Sequence, residues 1–369
     1  MVIDNTKELK EACKVILQAI DTSEPSLISE TLELVAQNQT LSMAVTNREY
    51  YVVVKMALPS EDTLKATVNA LLFLKLISQL MSEQLELLVE GGTLVVKADG
   101  TYKLPLIFKD DKLLELPKIE LNNVVVEMPI TASVLNSILF YNGRELQAAK
   151  VTRKPVQKMY YIDNYGAITF TTGACVNSFS LEKPLKLLLS SKVVKLFKLF
   201  TGGTVAFALS QDLNLDGSIA TKVQFATDSI SITAITPSDV QLLESVPVEA
   251  IRGMANKTHE HSVVVDRDRL VKALSRLLLF KKEGLSVALK LAFETEHCTL
   301  TYCGNQEVLG YQDAQLDDLN YVAHLNIENL KAVVDSCLED YLTLSFGDHK
   351  AVVVARQSIK NIIPELVVV

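Results

Sequence analysis

Two stretches far apart in the chain carry one pattern, and that repetition limits the fold more than any other feature. "KELKEACKVILQAI" places Lys7, Lys10 and Lys14 at i, i+3 and i+7. "RDRLVKALSRLLLF" places Arg269, Lys272 and Arg276 at the same spacing, 262 residues further on. The apolar positions shift together: Leu9 with Val271, Ala12 with Leu274, Ile16 with Leu278, Leu17 with Leu279. Residues three and four apart share a helix face, so each stretch predicts an amphipathic helix with one basic side. The segments after the two helices are also alike. "TLELVAQNQTLSMAVTNREYYVVVKMA" and "LSVALKLAFETEHCTLTYCGNQEVLGYQ" read as short alternating strands broken by Asn, Gly and Asp.

A second helix with strands closes each of these sections. In the first it is "NALLFLKLISQLMSEQLELLVEGGTLVVKADGTYKLPLI", which carries Lys75; in the last it is "NIENLKAVVDSCLEDYLTLSFGDHKAVVVARQSIKNIIP", which carries Lys331. Between them lies a middle section with "TASVLNSILFY" and "SSKVVKLFKLFTGGTVAFALSQ" as its helices. In the second of these, Lys192, Lys195 and Lys198 recur every third residue, opposite Val193, Leu196, Phe197 and Phe200. The first departs from the charge pattern. Ser133, Asn136 and Phe140 stand where the other sections have bases, and Arg144, Lys150, Arg153 and Lys154 follow near its end. The chain thus reads as three serial α+β sections of about 120–135 residues each, with boundaries at 1–123, 124–260 and 261–369.

Composition narrows the function. Apolar residues make up 49% of the 369, enough for packed cores, and no Pro-rich, Gly/Ser-rich or highly charged tract predicts disorder. The formal charge is −8, so basic stripes would be local features inside an acidic shell. "MVIDNTKELKEACK" lacks the apolar core of a secretory signal, and "ATVNALLFLKLISQLM" is too short and too interrupted to span a bilayer. A soluble, cytoplasmic protein is expected. Cys13, Cys175, Cys298, Cys303 and Cys337 form no CxxC pair and read as buried reduced thiols. His259 and His261 lack a third ligand, Gly91-Gly92 and Gly202-Gly203 sit in no phosphate-binding pattern, and no nucleophile elbow is present. No metal, cofactor or catalytic constellation is expected.

The order of these features resembles the bacterial sliding clamp family, the beta subunit of DNA polymerase III, over essentially the whole length. "TFTTGACVNSFSL" stands at the family's T-D-G-H-R-L segment; Thr171 and Gly173 agree, whereas Thr172, Ala174 and Cys175 do not. "NIIPEL" resembles the family's V-M-P-M-R-L, with Pro364 and Leu366 in agreement. The divergence suits a phage version as well as a cellular one. In the first section the family has an Arg just ahead of a Pro where this chain has Glu24 before Pro25, which puts any DNA contact from that loop in doubt.

The resemblance implies a clamp fold: three pseudo-repeated domains, each with two helices inside and sheets outside, and two chains joined head to tail in a ring. It implies a non-enzymatic processivity factor that encircles duplex DNA without reading its sequence and tethers a polymerase. The expected DNA-facing residues are Lys7, Lys10, Lys14, Lys75, Lys192, Lys195, Lys198, Arg269, Lys272, Arg276 and Lys331. The polymerase and the clamp loader would dock by short hydrophobic peptides in a cleft lined by Val156, Thr171, Gly173, Ala174, Cys175, Val176, Pro247, Ile251, Ile362, Ile363, Pro364 and Leu366. Ring closure would bring Tyr102 and Leu104 against Leu278 and Leu279 of the second chain. The rival readings are an enzyme on a multidomain α+β scaffold and a ring scaffold that does not hold DNA.

Overall fold

The computed structural model describes residues 1–144, 154–214, 216–281, 287–316, 321–347 and 350–367. Lys150 and Arg153 lie outside the described residues. One unit, a strand, a helix and three further strands, occurs six times. The first repeat runs Val2–Ile3, Thr6–Leu17, Thr31–Gln37, Thr40–Thr46 and Tyr50–Ala57; the second Leu64–Asn69, Ala70–Gln79, Leu85–Glu90, Thr93–Lys97 and Thr101–Pro105. The third runs Val124–Thr131, Ala132–Ser137, Met159–Asp163, Gly166–Phe170 and Ala174–Ser178; the fourth Lys186–Ser190, Ser191–Val194, Thr204–Leu213, Ile219–Ala226 and Ile230–Thr236. The fifth runs His261–Asp266, Arg267–Leu278, Ala288–Phe293, His297–Tyr302 and Asn305–Gln315; the sixth Tyr321–Asn326, Ile327–Asp335, Tyr341–Phe346, Ala351–Arg356 and Ile359–Pro364.

Each of the six repeat helices starts on a side chain that accepts a backbone N–H from its first turn. Asn5 accepts from Glu8 at 3.2 Å, Asn69 from Leu72 at 2.9 Å and Asp266 from Arg269 at 2.8 Å. Asn326 accepts from Glu328 at 2.9 Å, Ser190 from Val193 at 3.3 Å and Thr131 from Val134 at 3.4 Å. A helix N-terminus leaves its first N–H groups unpaired, and Asn, Asp, Ser and Thr are the residues that satisfy them. The same device therefore turns strand into helix in all six repeats.

The repeats work in pairs because each gives its first strand away. Val2–Ile3 pairs with Leu85–Glu90, and Leu64–Asn69 with Thr31–Gln37. Val124–Thr131 pairs with Thr204–Leu213, and Lys186–Ser190 with Met159–Asp163. His261–Asp266 pairs with Tyr341–Phe346, and Tyr321–Asn326 with Ala288–Phe293. In the fifth repeat the far part of the closing strand, Tyr311–Gln315, adds a second pairing to His261–Asp266. The chain divides into two compact units, 1–135 with 195–238 and 136–194 with 239–369. Strand exchange explains why the division cuts the third and fourth repeats: Val124–Thr131 belongs with Thr204–Leu213 in the first unit, and Lys186–Ser190 with Met159–Asp163 in the second.

The helices pack by their apolar faces, and the packing corrects the sequence register by one residue. Leu9, Cys13 and Ile16 are buried in the first helix; Leu270, Leu274 and Leu277 are buried in the fifth, 261 residues on, and the caps Asn5 and Asp266 keep the same offset. The basic residues matched at 262 are therefore not equivalent. A step of one residue turns a helix by about 100°, so the two basic stripes sit at different angles on their helices. In the last pair of repeats, Leu270, Leu274, Leu330 and Val334 form one core with Leu289, Leu300, Leu344 and Val352. The helix expected from "SSKVVKLFKLF" is one α-turn, Ser191–Val194, followed by a 3-10 turn, Lys195–Leu199. Among the described residues no helix is long and apolar enough to cross a membrane.

Four of the five cysteines are buried, as expected; Cys303 is exposed in the turn between His297–Tyr302 and Asn305–Gln315. Burial pushes the Cys13 thiol up to about 12 and raises Cys298 and Cys337 as well. A buried, neutral thiol is inert because the thiolate is the reactive form. Titration of the native protein with a disulfide reagent at pH 8 should therefore release about one equivalent per chain, all lost in Cys303→Ser, with the remaining thiols appearing only in denaturant. Several equivalents from the native protein would contradict this packing.

Candidate functional site

Eleven cations were expected to form one class, and their surroundings divide them. Lys7, Lys75, Lys195, Lys198, Arg269 and Lys272 are exposed on their helices, and among the described residues no carboxylate or carbonyl holds their side chains. Lys195 and Lys198 lie in the 3-10 turn, where side chains three apart eclipse, so both project from one line. The other five are engaged or partly covered. Lys10 donates to the carbonyl of Leu80. Lys14 pairs with Glu11 at 2.6 Å, and Lys331 with Asp335 at 2.7 Å. Arg276 grips Glu307 with two hydrogen bonds of 2.6 and 2.7 Å. Those bonds raise the Arg276 guanidinium and lower the Glu307 carboxyl from their ordinary values. Lys192 is half-buried. Five of the eleven therefore have less charge to offer a polyanion than the stripes suggested.

The second candidate is an apolar seam within the second unit. Strand Ala174–Ser178 pairs antiparallel with Ile359–Pro364, Ala174 opposite Ile362 and Val176 opposite Lys360. Side chains alternate across a strand. Ala174, Val176 and Ile362 therefore share one face, where they pack with Val156 and Ile251 in a single cluster. Five of the twelve expected cleft residues meet in this way. Met159, Phe170, Leu242, Leu243 and Val248 cover its margin, and the half-exposed Thr171, Gly173, Pro364 and Leu366 lie beside the strand ends. Ile363 belongs instead to the core of the last two repeats, and Cys175 is fully buried on the other face. Pro247 is exposed and opens helix Val248–Asn256, where it borders a different cleft of about 450 Å³ shared with Tyr161, Asp163, Tyr165, Lys186 and Arg252. There the buried Asp163 carboxylate takes two hydrogen bonds from Arg252, at 2.7 and 2.8 Å. Nothing in the spacing of Asp163 and Arg252 marked them as partners.

The closure residues separate as well. Leu104 is 2% exposed and is a core residue of its own chain, so only Tyr102 of that pair faces outward. Leu278 packs against the core of the last repeats. Leu279 is 80% exposed, and the next residue, Phe280, is 48% exposed. Phe280 is the neighbour that the sequence pattern did not single out; two adjacent large apolar residues just past a helix were the available signal.

No family model matches this sequence, and no curated protein matches it. Solved structures do. A sliding clamp from Pseudomonas aeruginosa, bound to griselimycin, superposes with a TM-score of 0.82 at 15% identity, over 100% of this chain and 99% of that one. The DNA polymerase III beta subunit of Thermotoga maritima gives 0.77 at 15% identity, and the DNA polymerase sliding clamp of Bacillus subtilis 0.79 at 12%, each over 100% of this chain and 99% of the other. The chain has the sliding-clamp fold. The α+β class and the serial repetition expected from the sequence agree with that fold.

Proposed function

We propose that this protein is a DNA sliding clamp, a processivity factor whose three domains, 1–123, 124–260 and 261–369, each hold two repeats. Two chains close into a ring around duplex DNA, and a polymerase and a clamp loader dock at the apolar seam through short hydrophobic peptides. The clamp makes and breaks no covalent bond; its tether turns polymerase rebinding into a local event at high effective concentration. The fold match over the full length of both chains carries this reading.

The sheet edges support closure by a second copy. The closing strands of repeats one and four pair with each other, Tyr50–Ala57 with Ile230–Thr236. Those of repeats three and six form the seam. The closing strands of repeats two and five are left over. Thr101–Pro105 has a described partner only in Thr93–Lys97, and the stretch Asn305–Gly310 only in His297–Tyr302. An open edge is a template for another strand, and a head-to-tail contact closes with two copies when each contributes half a turn. Arg276 and Glu307 tie the end of helix Arg267–Leu278 to the second of these edges, which brings Leu279 and Phe280 to the same side. Replacing Leu279 and Phe280 by Asp should yield folded monomers at micromolar concentration, with the mass read by light scattering and the fold by circular dichroism. A dimer of undiminished stability would remove this interface from the account.

The free cations support diffuse attraction to phosphate. A sliding protein needs contacts that carry no sequence information, and flexible Lys side chains suit that need. Each cation removed lowers the slope of log affinity against log salt by about 1. Lys195→Glu with Lys198→Glu should weaken binding to linear duplex and flatten that slope, whereas Lys331→Gln, which removes a cation already paired with Asp335, should change both much less. Equal effects of the two changes, measured by fluorescence anisotropy across a salt series, would refute the distinction between free and paired cations.

A further inference from the structure

The face of the seam sheet opposite the apolar cluster carries a charge that a sliding clamp's binding of DNA and peptide does not use. Arg356 ends strand Ala351–Arg356 and is 4% exposed. Among the described residues no carboxylate lies within ion-pair distance of it. Its guanidinium donates to Ser336 Oγ at 3.4 Å and to Cys337 Sγ, and its Nε has no acceptor. Cys337 is itself tied, since its thiol donates to the Val333 carbonyl at 3.2 Å. The remaining partner is aromatic: the guanidinium lies 4.8 Å from the centre of the Tyr141 ring. A buried cation without an anion is unfavourable unless other groups stabilise it. A ring face does so through its quadrupole, and more strongly away from water. Arg356 is thereby committed to Tyr141.

Tyr141 sits in a π-helical turn, Ile138–Asn142, and such turns are rare enough to call for a reason. The next residue, Asn142, is fully buried and bonds one seam strand, Ala174–Ser178, together with its neighbour Gly166–Phe170. Its Nδ2 donates to the carbonyls of Ala167 at 3.2 Å and Cys175 at 3.3 Å, and Thr169 Oγ1 donates to its carbonyl at 3.0 Å. One turn earlier, Ser137 Oγ accepts from Asn177 Nδ2 at 2.9 Å. The π-turn thus grips strand Ala174–Ser178 from one side of the sheet. Arg356 stands opposite Ile359 on the strand that pairs with Ile359–Pro364, and it holds the same turn from that neighbouring strand. The contacts form a closed circuit: Arg356, Tyr141, Asn142, Cys175, then the paired strands back to Arg356.

We propose that Arg356 is a positioning residue that pins the Tyr141–Asn142 turn and so holds the two-strand seam, and the apolar cluster on its far face, in one geometry. The proposal rests on the reading of that cluster as the partner cleft, and it assigns to a residue that touches no partner the task of keeping the cleft formed before a partner arrives. Pre-formed sites bind more tightly because less ordering remains to be done.

The test is native-state hydrogen exchange on the full chain, followed at the amides of residues 174–177 and 359–362. Strands Ala288–Phe293 and His297–Tyr302 serve as the reference. Arg356→Met and Tyr141→Leu should each speed exchange at the seam about tenfold and leave the reference strands unchanged. Tyr141→Phe keeps the ring face and should exchange like the parent. The double change Arg356→Met with Tyr141→Leu should be no worse than either alone, because both remove one interaction. Uniform acceleration of seam and reference would make Arg356 a contributor to global stability only and would overturn the proposal. So would additive effects, or a Tyr141→Phe variant as fast as Tyr141→Leu. These rates do not depend on a partner, so failure of the cleft reading would leave them standing, whereas failure of the lock would appear in them directly.

Discussion

The gift of the first strand is the constraint on which the rest of the structure depends. A repeat that gives away that strand cannot complete its own four-stranded sheet, so repeats are stable only in pairs. The exchange leaves each closing strand at an edge, in the fifth repeat only its first part, Asn305–Gly310, and an edge must be paired, covered or guarded. Two edges meet between Tyr50–Ala57 and Ile230–Thr236, and two more make the seam between Ala174–Ser178 and Ile359–Pro364. The proposed subunit contact repeats the same solution with the pair of edges that remains. One physical rule, applied three times, then accounts for two observed joints and one proposed joint.

Charge in this protein is governed by pairing as much as by position. A chain of net charge −8 has more carboxylates than cations, and the acids capture several of the bases on the helices. Lys14 next to Glu11 and Lys331 next to Asp335 are ordinary surface pairs, each worth about 0–1 kcal/mol, so DNA phosphate could still compete for them. The bidentate Arg276–Glu307 pair is better built to persist. Lys195 and Lys198 are different in kind, since the 3-10 turn lines them up and the described residues offer them no acid. In the proposed clamp, these are the groups that hold a duplex loosely without fixing its register.

Much of this was legible in the sequence, and the gaps have physical causes. The helix stripes and the strand triplets after them are strong periodic signals, and the stripes of the first and last sections located their helices, whereas that of the middle section fell on one α-turn and a 3-10 turn. The register of the repeat went astray by one residue because Lys7 and Arg269 were matched by charge, whereas Asn5 and Asp266 are matched by their capping geometry. The caps were available as Asn, Asp, Ser and Thr ahead of each helix, a better ruler than surface lysines because their chemistry is obligatory. Leu104 and Leu278 read as interface residues because an apolar side chain in a strand or helix end looks the same whether its neighbour belongs to its own chain or to another. The seam was partly legible: alternation selects Ala174, Val176 and Ile362 for one face and sends Cys175 and Ile363 to the other. Arg356, Tyr141 and Asn142 carried no signal, since their interactions join positions far apart in the chain or, for the π-turn, arise from a local departure from helical period.

The claim at the centre of the account is topological: the closed dimer is held on DNA by encirclement, not by affinity. The direct measurement incubates the protein with nicked circular duplex at concentrations where the dimer opens and reforms, then separates bound from free by gel filtration at salt high enough to strip phosphate contacts. The account predicts that protein co-elutes with the circle and is lost once the circle is cut at one site, because a free end lets the ring slide off. Equal retention on circular and cut DNA, or loss from both at that salt, would contradict it.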